Sequence, residues 1–383
     1  MRILKTAVVA LCAVLLVSSL AFGADTVKIG LLVPLTGPAA ADGTSALYSV
    51  QIALDQVNAA GGVLGRKVEL VYYDDRADAK EAVALSHKLI EQDRIHAFVA
   101  GSYSLPTRAV APIFQEEKIP LVAAYAIHPD VTRAGEYCFR NGFLGMVEGR
   151  AAGYTAHKLL GARTVALLTS DNDFGRTLVT GFKEYATKYA SDLKIVNEQA
   201  YPFSEKDYKP YLSKIKELNP DVIFASGYYF QTGPLLRQAR ELGIQSKILG
   251  EEGADSPKLM EIAGAAAEGF HIVTNFDRDD PRPVVQNFLK EFRSRHKFEP
   301  DMVGASAYDA FMIIMDGMKK SGTTDGKPVR DAIAALKNYD GLTGVIGGFD
   351  EIGEVVKPVQ VQVVKEGLFR HFGVVSDPEL IKP

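Results

Sequence analysis

Tryptophan is absent from the 383 residues, and cysteine occurs only at Cys12 and Cys138. Cys12 sits in an N-terminal apolar stretch, so a chain that sheds this stretch keeps one thiol and has no internal disulfide. Cys138 then reads as a small buried hydrophobe. A dominant charge is also lacking. The formal net charge is −4, from 43 Lys and Arg against 47 Asp and Glu, which excludes a nucleic-acid footprint and an acidic tail. Repeats, low-complexity linkers and long charge runs are missing. Catalytic signatures are missing as well. There is no phosphate-binding P-loop and no Gly-x-Ser-x-Gly elbow, and the seven histidines show no ligand spacing. Gly61-Gly62-Val63-Leu64-Gly65 follows a helix pattern and precedes a strand pattern. A dinucleotide fingerprint has the reverse order, so these glycines read as a helix stop and a turn. No nucleophile, base and orienting group can be assembled. The expectation is a protein that is not an enzyme and holds neither cofactor nor metal.

What is present begins with an address. Arg2 and Lys5 precede the apolar run Ala7 to Leu20, and Ala21-Phe22-Gly23 offers a small–x–small cleavage site. The run falls short of the ~20 apolar residues that a membrane span needs. Leu11 stands before Cys12 where lipid attachment wants Gly or Ala. Residues 1–23 therefore read as a signal peptide, and the mature protein is expected to be periplasmic.

About 360 residues remain, enough for two domains. From Val27 short apolar strands alternate with amphipathic segments: Val27 to Val33, then Thr44 to Ala59; Val68 to Tyr73, then Lys80 to Glu91; then Ala97 to Ala100 and Pro120 to Ala123. The rhythm restarts after Gly161 with Thr164 to Leu168, Lys194 to Asn197, Val222 to Ala225 and Lys247 to Gly250. Such alternation predicts an α/β fold of two doubly wound parallel-sheet lobes. The late segments 283–295, 305–319, 343–349 and 359–364 are too few for a third domain. They are expected to return and complete the two earlier sheets. The lobes are thus 24–144 plus 277–355 and 145–276 plus 356–383, joined by hinge strands that permit closure.

In open parallel sheets, ligands bind beyond the carboxyl ends of strands, beside helix N-termini. The loops in question are Pro34 to Pro38, Gly101-Ser102-Tyr103-Ser104, Ala124-Tyr125-Ala126-Ile127-His128-Pro129, Gly227-Tyr228-Tyr229 and Glu251-Glu252-Gly253. They supply hydroxyls, amides, aromatic faces and carboxylates, a set that suits a zwitterion with an apolar side chain.

The same loops resemble the leucine/isoleucine/valine-binding family of periplasmic receptors for ABC transporters, a type I periplasmic binding protein fold. The carrying motifs are Pro34 to Pro38, Asn58 to Arg66, Tyr73-Asp74-Asp75 with Ala79 to Ala84, and Gly101 to Ser104. Further on come His128 to Thr132, Leu236 to Arg240, and Gly250 to Gly253 with Ala267-Glu268-Gly269. The resemblance spans essentially the whole mature chain. It implies that Ser104 holds a ligand carboxylate, with Ser102 and Tyr103 beside it. It implies that the Tyr125 and Ile127 main chain meets the ammonium, and that Tyr228 and Glu252 close over the ligand from the second lobe. Ile127 stands where the family has a threonine hydroxyl, Asp42 where it has an aromatic, and Gly145 where it has an acidic hinge contact. Ala77 and Tyr103 occupy the places of the family's disulfide partners. These departures leave open an aromatic acid, a small amide or another solute, in uptake or in sensing. They also leave open the place of Asp42 and Asp309 relative to the cleft. The implied partners are a small-molecule ligand and an inner-membrane permease, with the receptor itself a monomer.

Overall fold

A computed structural model describes residues 26–383. The signal peptide expected over residues 1–23 lies outside the described residues.

Five strands form the first sheet, in the order β2-β1-β3-β4-β5: β1 (Val27–Val33), β2 (Val68–Asp74), β3 (Ala97–Ala100), β4 (Leu121–Ala123) and β5 (Cys138–Arg140). All its pairings are parallel. Its central strands are buried along almost their whole length, as a sheet covered by helices on both faces requires. Cys138 starts β5 and is buried. Loss of solvation pushes its thiol up to about 12, which makes it an inert packing residue.

The second sheet has the order β14-β13-β10-β9-β8-β6-β7. It contains β6 (Thr164–Ser170), β7 (Lys194–Tyr201), β8 (Val222–Ser226), β9 (Lys247–Gly250), β10 (His271–Thr274), β13 (Val359–Lys365) and β14 (Leu368–Val375). β6 to β10 pair in parallel. β13 and β14 add antiparallel strands at one side. Glu366 and Gly367 both have positive φ, the backbone of a two-residue hairpin turn whose twist matches the strands it joins.

The late segments correct one expectation. Residues 343–349 do not extend either large sheet. They contribute β12 (Gly344–Gly348), which pairs with β11 (Lys337–Gly341) in a sheet of two strands. The reason is local: the Asp309 carboxylate accepts from the Leu342 and Thr343 N–H groups and from the Thr343 hydroxyl, holding this hairpin against the Met302–Ser321 helix. That helix in turn packs along the Ala40–Ala59 helix of the first lobe.

The chain passes between the two lobes after β5, after β10 and after β12. Two of these passages meet at one point, where Asn141 Nδ2 donates to the Ser306 carbonyl at 3.0 Å and Asn275 Nδ2 donates to Ser306 Oγ at 3.1 Å. A buried ion pair, Arg140 Nε to Glu354 Oε2 at 2.8 Å, ties the first passage to the third.

In the second lobe the Gly145–Tyr154 helix lies tightly against the Asp173–Tyr189 helix. A Cβ on Gly149 would come 2.1 Å from the Leu178 carbonyl oxygen, and one on Gly181 would come 2.2 Å from that of Met146. Small residues at this spacing let two helix backbones approach where any side chain would force them apart.

Candidate functional site: the cleft between the lobes

The site is built from strand ends. Tyr103 is the residue before the Ser104–Glu116 helix and has extended backbone. Tyr228 holds the same place before the Tyr229–Glu241 helix. Tyr125 follows β4 and Glu252 follows β9. Each strand points its carboxyl end at the boundary between the lobes, so four loops distant in sequence converge there.

One cavity lies at this convergence. Asp42, Tyr103, Ser104 and Tyr125 line it from the first lobe, with Met302 and Val303; Phe174, Tyr228, Glu252 and Gly253 line it from the second. Its free volume is about 10 Å³, the room of about one water. A larger ligand therefore requires the lobes or rings to move apart. Outward, past Phe174 and Tyr228, it adjoins a wider pocket of about 520 Å³ rimmed by Arg76, Arg108 and Arg176.

Aromatic rings fill the inner space. Tyr103 stacks on Tyr228 across the lobe boundary, with centroids 4.5 Å apart, and Phe174 stacks on Tyr228 at 4.8 Å. Tyr125 meets Tyr103 edge-on at 6.2 Å. The Tyr103 hydroxyl donates to Asp42 Oδ2 at 2.6 Å, and that of Tyr125 to the Gly101 carbonyl at 2.6 Å. Ser104 Oγ accepts the Ile127 N–H at 3.1 Å. Accepting there leaves the hydroxyl hydrogen to be donated elsewhere.

Carboxylates cluster on the second-lobe side. Glu148, Glu251 and Glu252 are all buried. Glu251 accepts from the Gly227 N–H at 2.8 Å and the Gly253 N–H at 2.6 Å. Glu148 Oε1 accepts the Glu252 N–H at 2.9 Å and so fixes the backbone of that loop. Glu252 Oε2 and Glu148 Oε2 find no hydrogen-bond donor among the described residues. Burial, reinforced by the neighbouring Glu251 charge, holds Glu252 well above the usual carboxylate range. Burial and then Glu252 do the same to Glu148. Asp42 is raised by burial and by Asp301.

Among the residues expected to form the site, Tyr103, Ser104, Tyr125, Tyr228 and Glu252 share the cavity. Ser102 and Ile127 do not line it. Ser102 faces a packing gap beside Asp75 and Thr107, and the buried Ile127 takes part through its N–H on Ser104. Asp42 reaches the cavity, whereas Asp309 is engaged by the Leu342–Thr343 turn. Phe174 was missed, although it lies just beyond β6 and the strand-end rule applies to that loop as to the others. Met302 and Val303 carried no sequence signal, because only packing brings that helix start to the cleft. Among the described residues no His, Cys, Asp and Glu group has the makings of a metal site.

The model of the periplasmic binding protein family matches residues 26–368. The chain belongs to this family. As a periplasmic binding protein it is 30% identical over 341 residues to the leucine-, isoleucine-, valine-, threonine- and alanine-binding protein of Pseudomonas aeruginosa, covering 88% of this chain and 89% of that one. It is similar to the crystal structure of a leucine binding protein from Thermotoga maritima, with a TM-score of 0.85 and 31% identity over 92% of this chain and all of the other. It is also similar to an ABC transporter solute binding protein from Rhodopseudomonas palustris in complex with 3,4-dihydroxybenzoic acid. There the TM-score is 0.84 and the identity 25%, covering 92% of this chain and 97% of the other. The two-lobed architecture is thus that of a periplasmic binding protein, and relatives of one fold carry ligands of different chemistry.

Proposed function

We propose that this protein is an extracytoplasmic receptor that captures a small amino-acid-like solute between its lobes and delivers it to an ABC transporter permease. The observation that carries the reading is Glu252. Its side chain is buried at the lobe boundary and lines the cavity, with one carboxylate oxygen lacking a donor. A ligand ammonium supplies that donor, and a charge-assisted hydrogen bond there is roughly twice as strong as a neutral one. Ser104, at the start of the Ser104–Glu116 helix, offers its hydroxyl hydrogen and the positive helix end to a carboxylate. Tyr103, Tyr125 and Tyr228 enclose the remainder.

The names of the Pseudomonas aeruginosa and Thermotoga maritima relatives support amino-acid capture, and the ABC transporter named for the Rhodopseudomonas palustris relative supports a role in uptake. In this reading the receptor is a monomer, exported to the periplasm by its leader. Its lobes are 24–144 plus 277–355 and 145–276 plus 356–383. The packing of the Met302–Ser321 helix on the Ala40–Ala59 helix and the addition of β13 and β14 to the second sheet support this division.

The ring stack of Tyr103, Tyr228 and Phe174 favours a second reading, an aromatic acid, like the one in the Rhodopseudomonas palustris complex. Two carboxylates in the lining speak against an anion.

A thermal-shift panel of amino acids, aromatic acids and small amides decides between them. The true ligand at ~100 times its dissociation constant raises the unfolding free energy by ~2.7 kcal/mol. No shift with any amino acid overturns the amino-acid reading.

A further inference from the structure

Asp42 and Glu252 face the same cavity from opposite lobes. Asp42 lies in the first turn of the Ala40–Ala59 helix and is 2% exposed; Glu252 is 1% exposed. The Tyr103 hydroxyl serves one oxygen of Asp42, and Glu252 Oε2 has no donor among the described residues. Nearby cations form their bonds elsewhere, and Lys357 and Arg140 act on the Glu252 charge only from a distance. Lys357 donates to Thr343 at 2.8 Å, Arg140 pairs with Glu354, and Arg278 pairs with Asp255. Among the described residues that line the cavity none is a lysine or arginine.

Two buried carboxylates with no cation in direct contact are costly, and such groups are retained where they are paired or protonated. The walls repeat the same preference. Tyr103, Phe174 and Tyr228 stack face to face at the cavity, so a ligand that parts them meets ring faces, which attract a cation. An apolar side chain would satisfy the rings and leave Asp42 without a cation. A carboxylate-bearing side chain would add a third negative charge.

We propose that the ligand is a small diamino acid, whose α-ammonium pairs with Glu252 and whose side-chain ammonium pairs with Asp42. This rests on the amino-acid reading above and specifies the side chain. One ammonium supplies the donor that Glu252 Oε2 lacks and the other gives Asp42 a cation beside its Tyr103 bond, so both carboxylates ionise on binding and draw the lobes together from opposite sides.

The test is calorimetric titration of the protein with 2,4-diaminobutyrate, ornithine and lysine. Each is compared with the neutral amino acid of similar chain length: 2-aminobutyrate, norvaline or norleucine. At least one diamino acid is expected to bind about tenfold or more tightly than its neutral counterpart, a difference of about 1.4 kcal/mol. Asp42→Asn is expected to lower the diamino acid's affinity about tenfold relative to that of its neutral counterpart in the same variant, erasing the preference. Leucine or norleucine binding as tightly as every diamino acid overturns the proposal and leaves the amino-acid reading standing. Failure of all three diamino acids at about 10 mM also overturns it. Binding of benzoate but of no amino acid overturns both. A preference that persists in a folded Asp42→Asn variant overturns the role of Asp42. If that variant does not fold, the wild-type series decides alone.

Discussion

Arg108 Nη1 lies 2.6 Å from Asp173 Oδ2, an ion pair that joins the Ser104–Glu116 helix of the first lobe to the Asp173–Tyr189 helix of the second. It stands at the mouth of the cleft, where both residues rim the wider outer pocket. The Tyr229 hydroxyl reaches across the same boundary to the Pro38 carbonyl at 2.5 Å. These contacts favour the form in which the lobes touch.

Arg108→Ala is expected to loosen that form. Both partners are partly exposed, so the pair contributes up to about 1 kcal/mol, which weakens ligand binding by about five-fold at most. Small-angle scattering without ligand should give a larger radius of gyration than the wild type. An unchanged radius and affinity would show that the pair is incidental to closure.

Glu252→Ala removes the buried carboxylate at the centre of the site. Loss of a charge-assisted bond costs about 1.5–3 kcal/mol, so affinity for an amino-acid ligand should fall at least tenfold. Unfolding in the absence of ligand should show no loss of stability, because the deleted carboxylate has an oxygen without a donor. Unchanged affinity would mean that the ligand places no ammonium there.

Stability should depend on pH in a definite sense. Burial pushes Glu251 from 4.5 up to about 8, and burial with the Asp255 charge pushes Asp301 from 3.8 up to about 7. A carboxyl whose folded value is raised binds more protons folded than unfolded. Its stabilisation is complete below the unfolded value and is lost as pH rises through the folded one. Between about pH 4 and 8 the ligand-free protein is therefore expected to lose stability. Burial brings Lys357 from 10.5 down to about 8, and its effect has the opposite sign above pH 8. Chemical denaturation across this range measures the slope. Glu251→Gln should flatten it by about 1.4 kcal/mol per pH unit; an identical slope would remove Glu251 as the source.

Gly149→Ala tests the close helix pair of the second lobe. A methyl group 2.1 Å from the Leu178 oxygen cannot be accommodated without moving a helix. Overpacking of this kind costs about 1–3 kcal/mol, read as a lowered denaturation midpoint. A midpoint equal to wild type would show that the helices slide apart freely.

Much of the fold is legible in the sequence. Continuous buried runs such as Val27–Val33 and Val222–Ser226 announce parallel strands, because only a sheet covered on both faces tolerates them. β14 escaped notice because its residues alternate Leu-Phe-Arg-His-Phe and are mostly exposed, a weak pattern for an edge strand. The three-residue β5 was too short to carry a period. Residues 343–349 had the composition of a strand, but composition does not name the partner, and Asp309 directed them to β11. The Gly145-x3-Gly149-x3-Gly153 spacing was visible in the chain and went unread, since glycines in a helix signal nothing until a neighbour is known to press on them.

The sequence by itself determined the α/β class, the strand-end loops and the residue types they carry, because period and turn chemistry are local. It placed Tyr103, Tyr125, Tyr228 and Glu252 each at the end of a strand. Only the tertiary structure decided that those ends face one another. It set Asp42 in the cavity beside them and turned Ser102 away, and it left Glu252 Oε2 without a donor among the described residues. The reason is that partnership between buried charges depends on residues tens to hundreds of positions apart, and that proximity exists only once two sheets have formed and met.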